Sequence, residues 1–190
     1  MKSLSESTLY VKRANKNIVI VSLYVDDLLV TGSNATLIEQ FKKEMTRVFE
    51  MIDLRAMAFF LGMEIKQNQQ GIFICQMKYA KEILKKFQME ECKPMSTLMG
   101  QKEKFCKEDG TEKVEETNYR SLIGCLMYLT IIRPDILHAM IILSRFLHCA
   151  SELYLKVAKR VLRYVKGTLD HGILFQQSQD FQFLGFSDSD

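Results

Sequence analysis

No apolar run in these 190 residues approaches the roughly 20 needed to cross a bilayer, and the first seven, Met1-Lys2-Ser3-Leu4-Ser5-Glu6-Ser7, lack the apolar stretch of a secretory signal. The five cysteines, at 75, 92, 106, 125 and 149, are odd in number, and no two lie within three residues of each other as zinc-ribbon or thioredoxin-type pairs do. They read as free thiols in a reducing compartment. The three histidines, at 138, 148 and 171, are equally scattered, which leaves no zinc motif. The expectation is a soluble intracellular protein, cytoplasmic or nuclear.

Charge of one sign is also scarce, because the net charge is only +3. Its distribution says more than its sum. From Tyr119 to Gly167 eight Lys and Arg face only Asp135 and Glu152, a balance of +6, whereas residues 100–118 carry four Lys against six acids, a balance of −2. A solvated, charge-mixed connector therefore precedes a basic segment. With 47% hydrophobic and 26% charged residues the chain can bury a core, which excludes disorder and collagen-like structure.

The amino-terminal part alternates strands and turns. Thr8–Lys12 is followed by a polar turn at Asn15-Lys16-Asn17, then by Ile18–Tyr24, and after Val25-Asp26-Asp27 by Leu28–Gly32. Near-continuous apolarity in the Ile18 strand predicts a central strand buried on both faces. Ser33 or Asn34 can cap a helix whose apolar positions, Leu37, Ile38, Phe41, Met45, Val48 and Phe49, repeat at helical spacing and pack on the sheet.

Phe59–Ile65 and Ile72–Cys75, separated by Lys66–Gly71, read as a hairpin, and a helix from about Tyr79 to Phe87 follows. Beyond the Pro94 region and an Asp109-Gly110 turn the chain turns helical. Asn118 can cap a helix from Tyr119 to about Ile132, Pro134 can open another reaching His148, and Ser151 can cap a third ended by Gly167. Gly172–Phe175 and Phe181–Phe186 return to a strand pattern. The fold class is α+β.

Three sets of residues could carry chemistry. Asp26 and Asp27 place adjacent carboxylates at a hairpin turn, where repulsion is costly unless cations or solvent screen it. A divalent-metal site of the two-Mg²⁺ type would use that geometry, with the ions about 4 Å apart, and an ordinary exposed turn would equally favour Asp. On the helix after Asn118, Ser121, Gly124, Cys125 and Tyr128 fall within an arc of about 100°, a face of small residues and one aromatic that lets another backbone, such as a packed helix, approach closely. On the helix after Ser151, Lys156, Lys159, Arg160, Arg163 and Lys166 span roughly 120°, which suits phosphate contacts or simple solubility.

Tyr24-Val25-Asp26-Asp27 resembles the catalytic hairpin of reverse transcriptases. The words Ser22–Gly32, Phe60–Ile65, Tyr119–Thr130, Arg133–Ile136, Lys159–Thr168 and Gly185–Asp190, in this order, resemble the copia-type retrotransposon polyprotein. The resemblance implies an RNA-directed DNA polymerase using Mg²⁺ and a template-primer, with Asp26 and Asp27 as metal-binding palm carboxylates and Tyr24 beside the primer end. It implies a primer-grip-like hairpin around Gly62, a thumb helix presenting Gly124 and Tyr128 to the minor groove, and Asp188 as the first metal-binding carboxylate of a ribonuclease H domain. By that likeness residues 1–91 are the carboxyl half of a palm, 92–117 a connector, 118–170 a helical thumb and connection, and 171–190 the start of ribonuclease H.

Reverse transcriptases need a further palm aspartate on an earlier strand, but Asp26 is the first aspartate here and Glu6 the only earlier carboxylate. The expectation is a piece inactive alone, which would associate with a missing palm half or with itself. Its rivals are a non-catalytic nucleic-acid-binding module and the product of a decayed element with no selected function.

Overall fold

The computed structural model describes residues 1–69, 71–100, 105–106 and 109–176. The Phe181–Phe186 strand and Asp188 lie outside the described residues. The chain divides into two compact units, Met1–Ala56 and Met57–Asp190, and combines helices with antiparallel sheets in an α+β fold.

In the first unit β1 (Leu9–Ala14), β2 (Asn17–Tyr24) and β3 (Asp27–Gly32) form an antiparallel meander in that order, so the Ile18 strand is central as expected. Its burial is one-sided: Val19 and Val21 are buried, while Ile18, Ile20 and Ser22 on the other face are half-buried. The unit has a single helix, α1 (Ala35–Val48), to lay on the sheet, so burial on both faces is not achieved within it. Asn34 caps α1, its side-chain oxygen accepting from the amides of Thr36 and Leu37 at 2.9 and 3.3 Å.

The second unit joins β4 (Phe59–Phe60), β5 (Met63–Asn68), β6 (Gly71–Cys75) and β7 (Gly172–Gln176) into one antiparallel sheet in that order. The Phe59–Ile65 run is therefore not one strand, because the chain reverses at Leu61-Gly62. The next strand persists to Asn68, so Lys66-Gln67-Asn68 belongs to β5 and not to the turn. β7 adds to β6 with Gly172 facing Cys75, and the close approach requires glycine: a Cβ on Gly172 would lie 2.3 Å from the Ile74 carbonyl oxygen.

The core of this unit is helical. It is built by α2 (Met77–Lys86), α3 (Glu116–Leu129), a 3-10 turn (Pro134–Ile136), α4 (Leu137–Ser144) and α5 (Glu152–Gly167). Leu122, Ile123, Leu126 and Leu129 of α3 meet Val157, Val161, Leu162 and Val165 of α5 in one buried cluster, while Met127, expected on the same side, is exposed. Tyr119 is fully buried and its hydroxyl donates to the Leu143 carbonyl at 3.0 Å, which satisfies the one polar atom it brings inside.

Several helix ends differ from expectation: α2 begins at Met77, ahead of Tyr79, and α3 ends at Leu129, short of Ile132. Glu115, not Asn118, caps α3: its carboxylate accepts from the amides of Thr117 and Asn118 at 3.0 and 2.8 Å, so Asn118 lies inside the first turn. Those bonds, led by the Thr117 and Asn118 donors, hold the Glu115 carboxyl below its usual range. Ser151 does occupy the cap position of α5, but its buried hydroxyl donates to Asp109 instead of capping. The helix opened by Pro134 stops at Ser144, short of His148.

Candidate nucleic-acid and metal site

The Tyr24–Asp27 hairpin reverses the chain in two residues. Tyr24 pairs with Asp27, so Val25 and Asp26 are the two turn residues. Val25 has a φ of 52° and is 78% exposed. A β-branched residue in the left-handed region is a backbone outlier costing about 1–3 kcal/mol, and such strain persists where surrounding structure imposes it, most often at functional sites. Val25→Gly should therefore raise stability by about 1 kcal/mol, since the strain relieved exceeds the roughly 0.5–1 kcal/mol entropic cost of glycine. An unchanged or lower melting midpoint would contradict the strain.

The carboxylates of Asp26 and Asp27 are exposed and make no hydrogen bond or ion pair among the described residues. Two adjacent hard-oxygen donors without a competing cation fit Mg²⁺, which binds through one or two carboxylates and retains ligands from water or phosphate. Among the described residues no group of three or more His, Cys, Asp or Glu side chains converges. Glu6, the earlier carboxylate, is occupied: it accepts from the Thr8 amide at 3.1 Å and the Thr8 hydroxyl at 2.7 Å, and the Thr8 donors lower its proton affinity.

In the second unit Gly62 and Tyr128 meet. Gly62 sits in the β4–β5 turn with φ 73°, and a Cβ there would lie 2.9 Å from the Tyr128 hydroxyl. Along the small-residue face of α3, α2 covers one part. The Lys86 ammonium donates to the Ser121 hydroxyl at 3.0 Å and lies 3.6 Å from the Cys125 sulfur, and Tyr79 stacks edge-on against Tyr128. Helix packing thus accounts for Ser121, Cys125 and Tyr128. Gly124 is different: it is exposed, with nothing within 4 Å of where a Cβ would point.

The basic stripe of α5 is also divided. Arg160 donates from Nε to the Thr97 carbonyl at 3.2 Å and from Nη2 to the Thr97 hydroxyl at 2.6 Å. Arg163 donates to the Lys93 carbonyl at 2.7 Å, and Lys166 to the Glu90 carbonyl. Residues 90–97 are thereby strapped along the helix, an arrangement linking positions more than 60 apart that sequence reading did not foresee. Lys156 and Lys159 are exposed and make no such bond among the described residues. They edge a groove of about 690 Å³ that is also lined by Met89, Met95, Arg160 and Arg163.

Residues 1–101 match the family model described as reverse transcriptase (RNA-dependent DNA polymerase). The chain belongs to the reverse transcriptase family. Its whole length is 35% identical to the retrovirus-related Pol polyprotein from transposon RE1 of Arabidopsis thaliana, of which it covers 13%. It is 34% identical over 200 aligned residues to the Pol polyprotein from transposon TNT 1-94 of Nicotiana tabacum, of which it covers 15%. An uncharacterized mitochondrial protein of Arabidopsis thaliana is 40% identical over 169 residues, 88% of this chain and 70% of that protein. No solved structure matches the chain.

These relatives bear out the resemblance to copia-type Pol polyproteins. This reverse transcriptase segment spans about an eighth of the RE1 polyprotein. Reverse transcriptases as a family use Mg²⁺ and bind a template-primer.

Proposed function

We propose that this segment contributes the catalytic hairpin and a template-primer surface to RNA-directed DNA synthesis by a copia-type Pol polyprotein. The observation that carries the reading is the strained Val25 turn, which presents two exposed carboxylates with no protein partner among the described residues. Asp26 and Asp27 would hold Mg²⁺, which supplies charge stabilisation to the transferring phosphoryl group when bound. Tyr24, at the end of β2, borders the same turn. Gly62 and Gly124 serve the template-primer, Tyr128 supports the Gly62 turn from behind, Lys156 and Lys159 contact phosphates, and Arg160, Arg163 and Lys166 add charge while holding the 90–97 strap. Asp188 belongs to a separate ribonuclease H-type site in this reading, which rests on sequence likeness alone.

The test has two parts. In a polymerase-competent polyprotein that includes this segment, Asp26→Asn and Asp27→Asn should each abolish primer extension with Mg²⁺ while leaving template-primer binding in place. Retained extension in either variant would overturn the catalytic assignment. The 190-residue polypeptide alone should bind duplex at low salt without extending it, because no third carboxylate converges with Asp26 and Asp27 among the described residues.

Gly124 separates nucleic-acid contact from packing. Gly124→Ala should stabilise α3 by roughly 0.5–1 kcal/mol, because a mid-helix glycine is unfavourable and the added methyl meets open space. It should nevertheless weaken duplex binding, since the clearance lost is on the outside. A stability gain with unchanged affinity would remove Gly124 from the interface.

A further inference from the structure

The two-residue turn between β4 and β5 is built from an unsuitable residue. Phe60 pairs with Met63, so Leu61 and Gly62 are the turn, with φ values of 49° and 73°. Turns with both central residues left-handed favour Asn, Asp or Gly, because a branched apolar side chain gains nothing there and its Cβ crowds the backbone. Leu61 is 42% exposed, so burial of its side chain does not hold it.

What holds the turn is Tyr128. Its hydroxyl donates to the Leu61 carbonyl across 67 residues of sequence. Its ring is fixed by edge-on contact with Tyr79 at a centroid distance of 4.8 Å, and the Tyr79 hydroxyl bonds the Cys125 carbonyl at 3.4 Å, less than one turn before Tyr128 on α3. Burial foremost, and then the neighbouring Cys125 thiol, pushes Tyr79 up to about 12, so it stays a neutral donor. Gly62 completes the fit. A Cβ at Gly62 would lie 2.9 Å from the Tyr128 hydroxyl oxygen but 3.6 and 3.7 Å from the nearest ring carbons, so of these atoms only the hydroxyl crowds a methyl, in addition to the strain that a φ of 73° sets on any side chain.

We infer that Tyr128 is a positioning residue: it latches the strained Leu61-Gly62 turn to α3 and thereby sets where the hairpin meets the template-primer. The nucleic-acid part rests on the function proposed above; the latch itself does not. Tyr128 then acts through the turn and not by touching nucleic acid.

The experiment uses the full chain and a blunt-ended DNA duplex. Tyr128→Phe keeps the ring on Tyr79 and removes only the hydroxyl. Amide hydrogen exchange at residues 60–63 of the free protein should quicken by about three- to tenfold, the equivalent of one hydrogen bond, with α5 amides unchanged. Duplex affinity should fall by a similar factor with no change in its salt slope, because no cation is lost. Tyr154→Phe, which removes a hydroxyl that donates to the Cys106 carbonyl and plays no part in the latch, should leave turn exchange and affinity as they are.

A double-mutant cycle closes the test. Gly62→Ala should cost less in the Tyr128→Phe background than in the wild type, since the colliding atom is gone while the backbone strain is the same in both. Unchanged turn exchange in Tyr128→Phe, or an additive cycle, would overturn the latch. Faster exchange with unaltered affinity would overturn its positioning role. A wild type that binds no duplex defeats the proposed function, and exchange and the cycle, read in stability, still decide the latch.

Discussion

Replacing Arg133 with methionine should lower the stability of the second unit by about 1–3 kcal/mol, because a buried guanidinium loses four hydrogen bonds while its partner carboxylate, Asp135, keeps access to solvent. Arg133 is 3% exposed. Its Nε and Nη2 donate to the two carboxylate oxygens of Asp135 at 2.9 and 2.7 Å, and Nη1 and Nη2 donate to the Thr168 carbonyl and hydroxyl at 2.9 and 2.6 Å. The guanidinium also lies 5.8 Å from the centre of the Tyr164 ring. One side chain thus ties the turn that follows α3 to the carboxyl end of α5, where a cation complements the helix dipole as well. Methionine fills similar volume but deprives the Asp135 carboxylate and the Thr168 carbonyl of the guanidinium donors. Chemical denaturation should show a lower midpoint with an unchanged slope, and a loss below about 1 kcal/mol would mean that the cluster is solvated and inconsequential.

The same cluster fixes a pH dependence. Burial alone would raise the proton affinity of Asp135, but the bonds and charge of Arg133, with a hydrogen bond from Tyr164, outweigh it and hold the carboxyl below its usual range. A carboxyl depressed in the folded state adds stability above its unfolded value, near 4, and loses it as pH falls through the folded value. Arg133→Met removes the bonds and charge that most lower the proton affinity of Asp135, so the deficit relative to wild type should be full at neutral pH and shrink below about pH 4. A deficit independent of pH would point to lost packing instead of a broken ion pair.

Whatever is written in contiguous residues was legible before the structure. The Tyr24–Asp27 turn, the central β2 strand, the Asn34 cap and the α5 helix all follow from local alternation, helical spacing or short-range hydrogen bonding. The errors lie where the deciding partner is distant or the residue is atypical. Nothing in Phe59–Ile65 announces a reversal, because Leu61 is a poor left-handed residue and its anchor lies at Tyr128. Asn118 is the better cap by preference, yet Glu115 stands three residues earlier and takes the Thr117 and Asn118 amides, so the helix has begun before Asn118 is reached. Ser151 looked like a cap because its position is right, and its hydroxyl was drawn to Asp109 by the fold. The stripe on α5 was legible as a stripe, but that Arg160, Arg163 and Lys166 face carbonyls of residues 90–97 was not.

That division of the stripe changes which cations should govern nucleic-acid binding. Replacing both Lys156 and Lys159 with glutamine should shallow the slope of log affinity against log salt by roughly two units, one for each phosphate contact, and weaken duplex binding most at low salt. Both ammoniums are exposed and uncommitted among the described residues, so their loss should leave the melting midpoint nearly unchanged. Arg163→Gln should behave differently. Its Nε bond to the Lys93 carbonyl is part of the strap, so the variant should loosen residues 90–97, quickening exchange of the Met95 amide, which donates to the Arg163 carbonyl at 3.1 Å. Lys42 and Lys43 on α1 provide the control for net charge. The Lys42 ammonium is already held by Asp53 at 3.1 Å, and replacing this pair should alter the slope by less than one unit. Equal slope changes from the two lysine pairs would show that binding follows total charge, and the exposed pair on α5 would then have no particular claim on the phosphates.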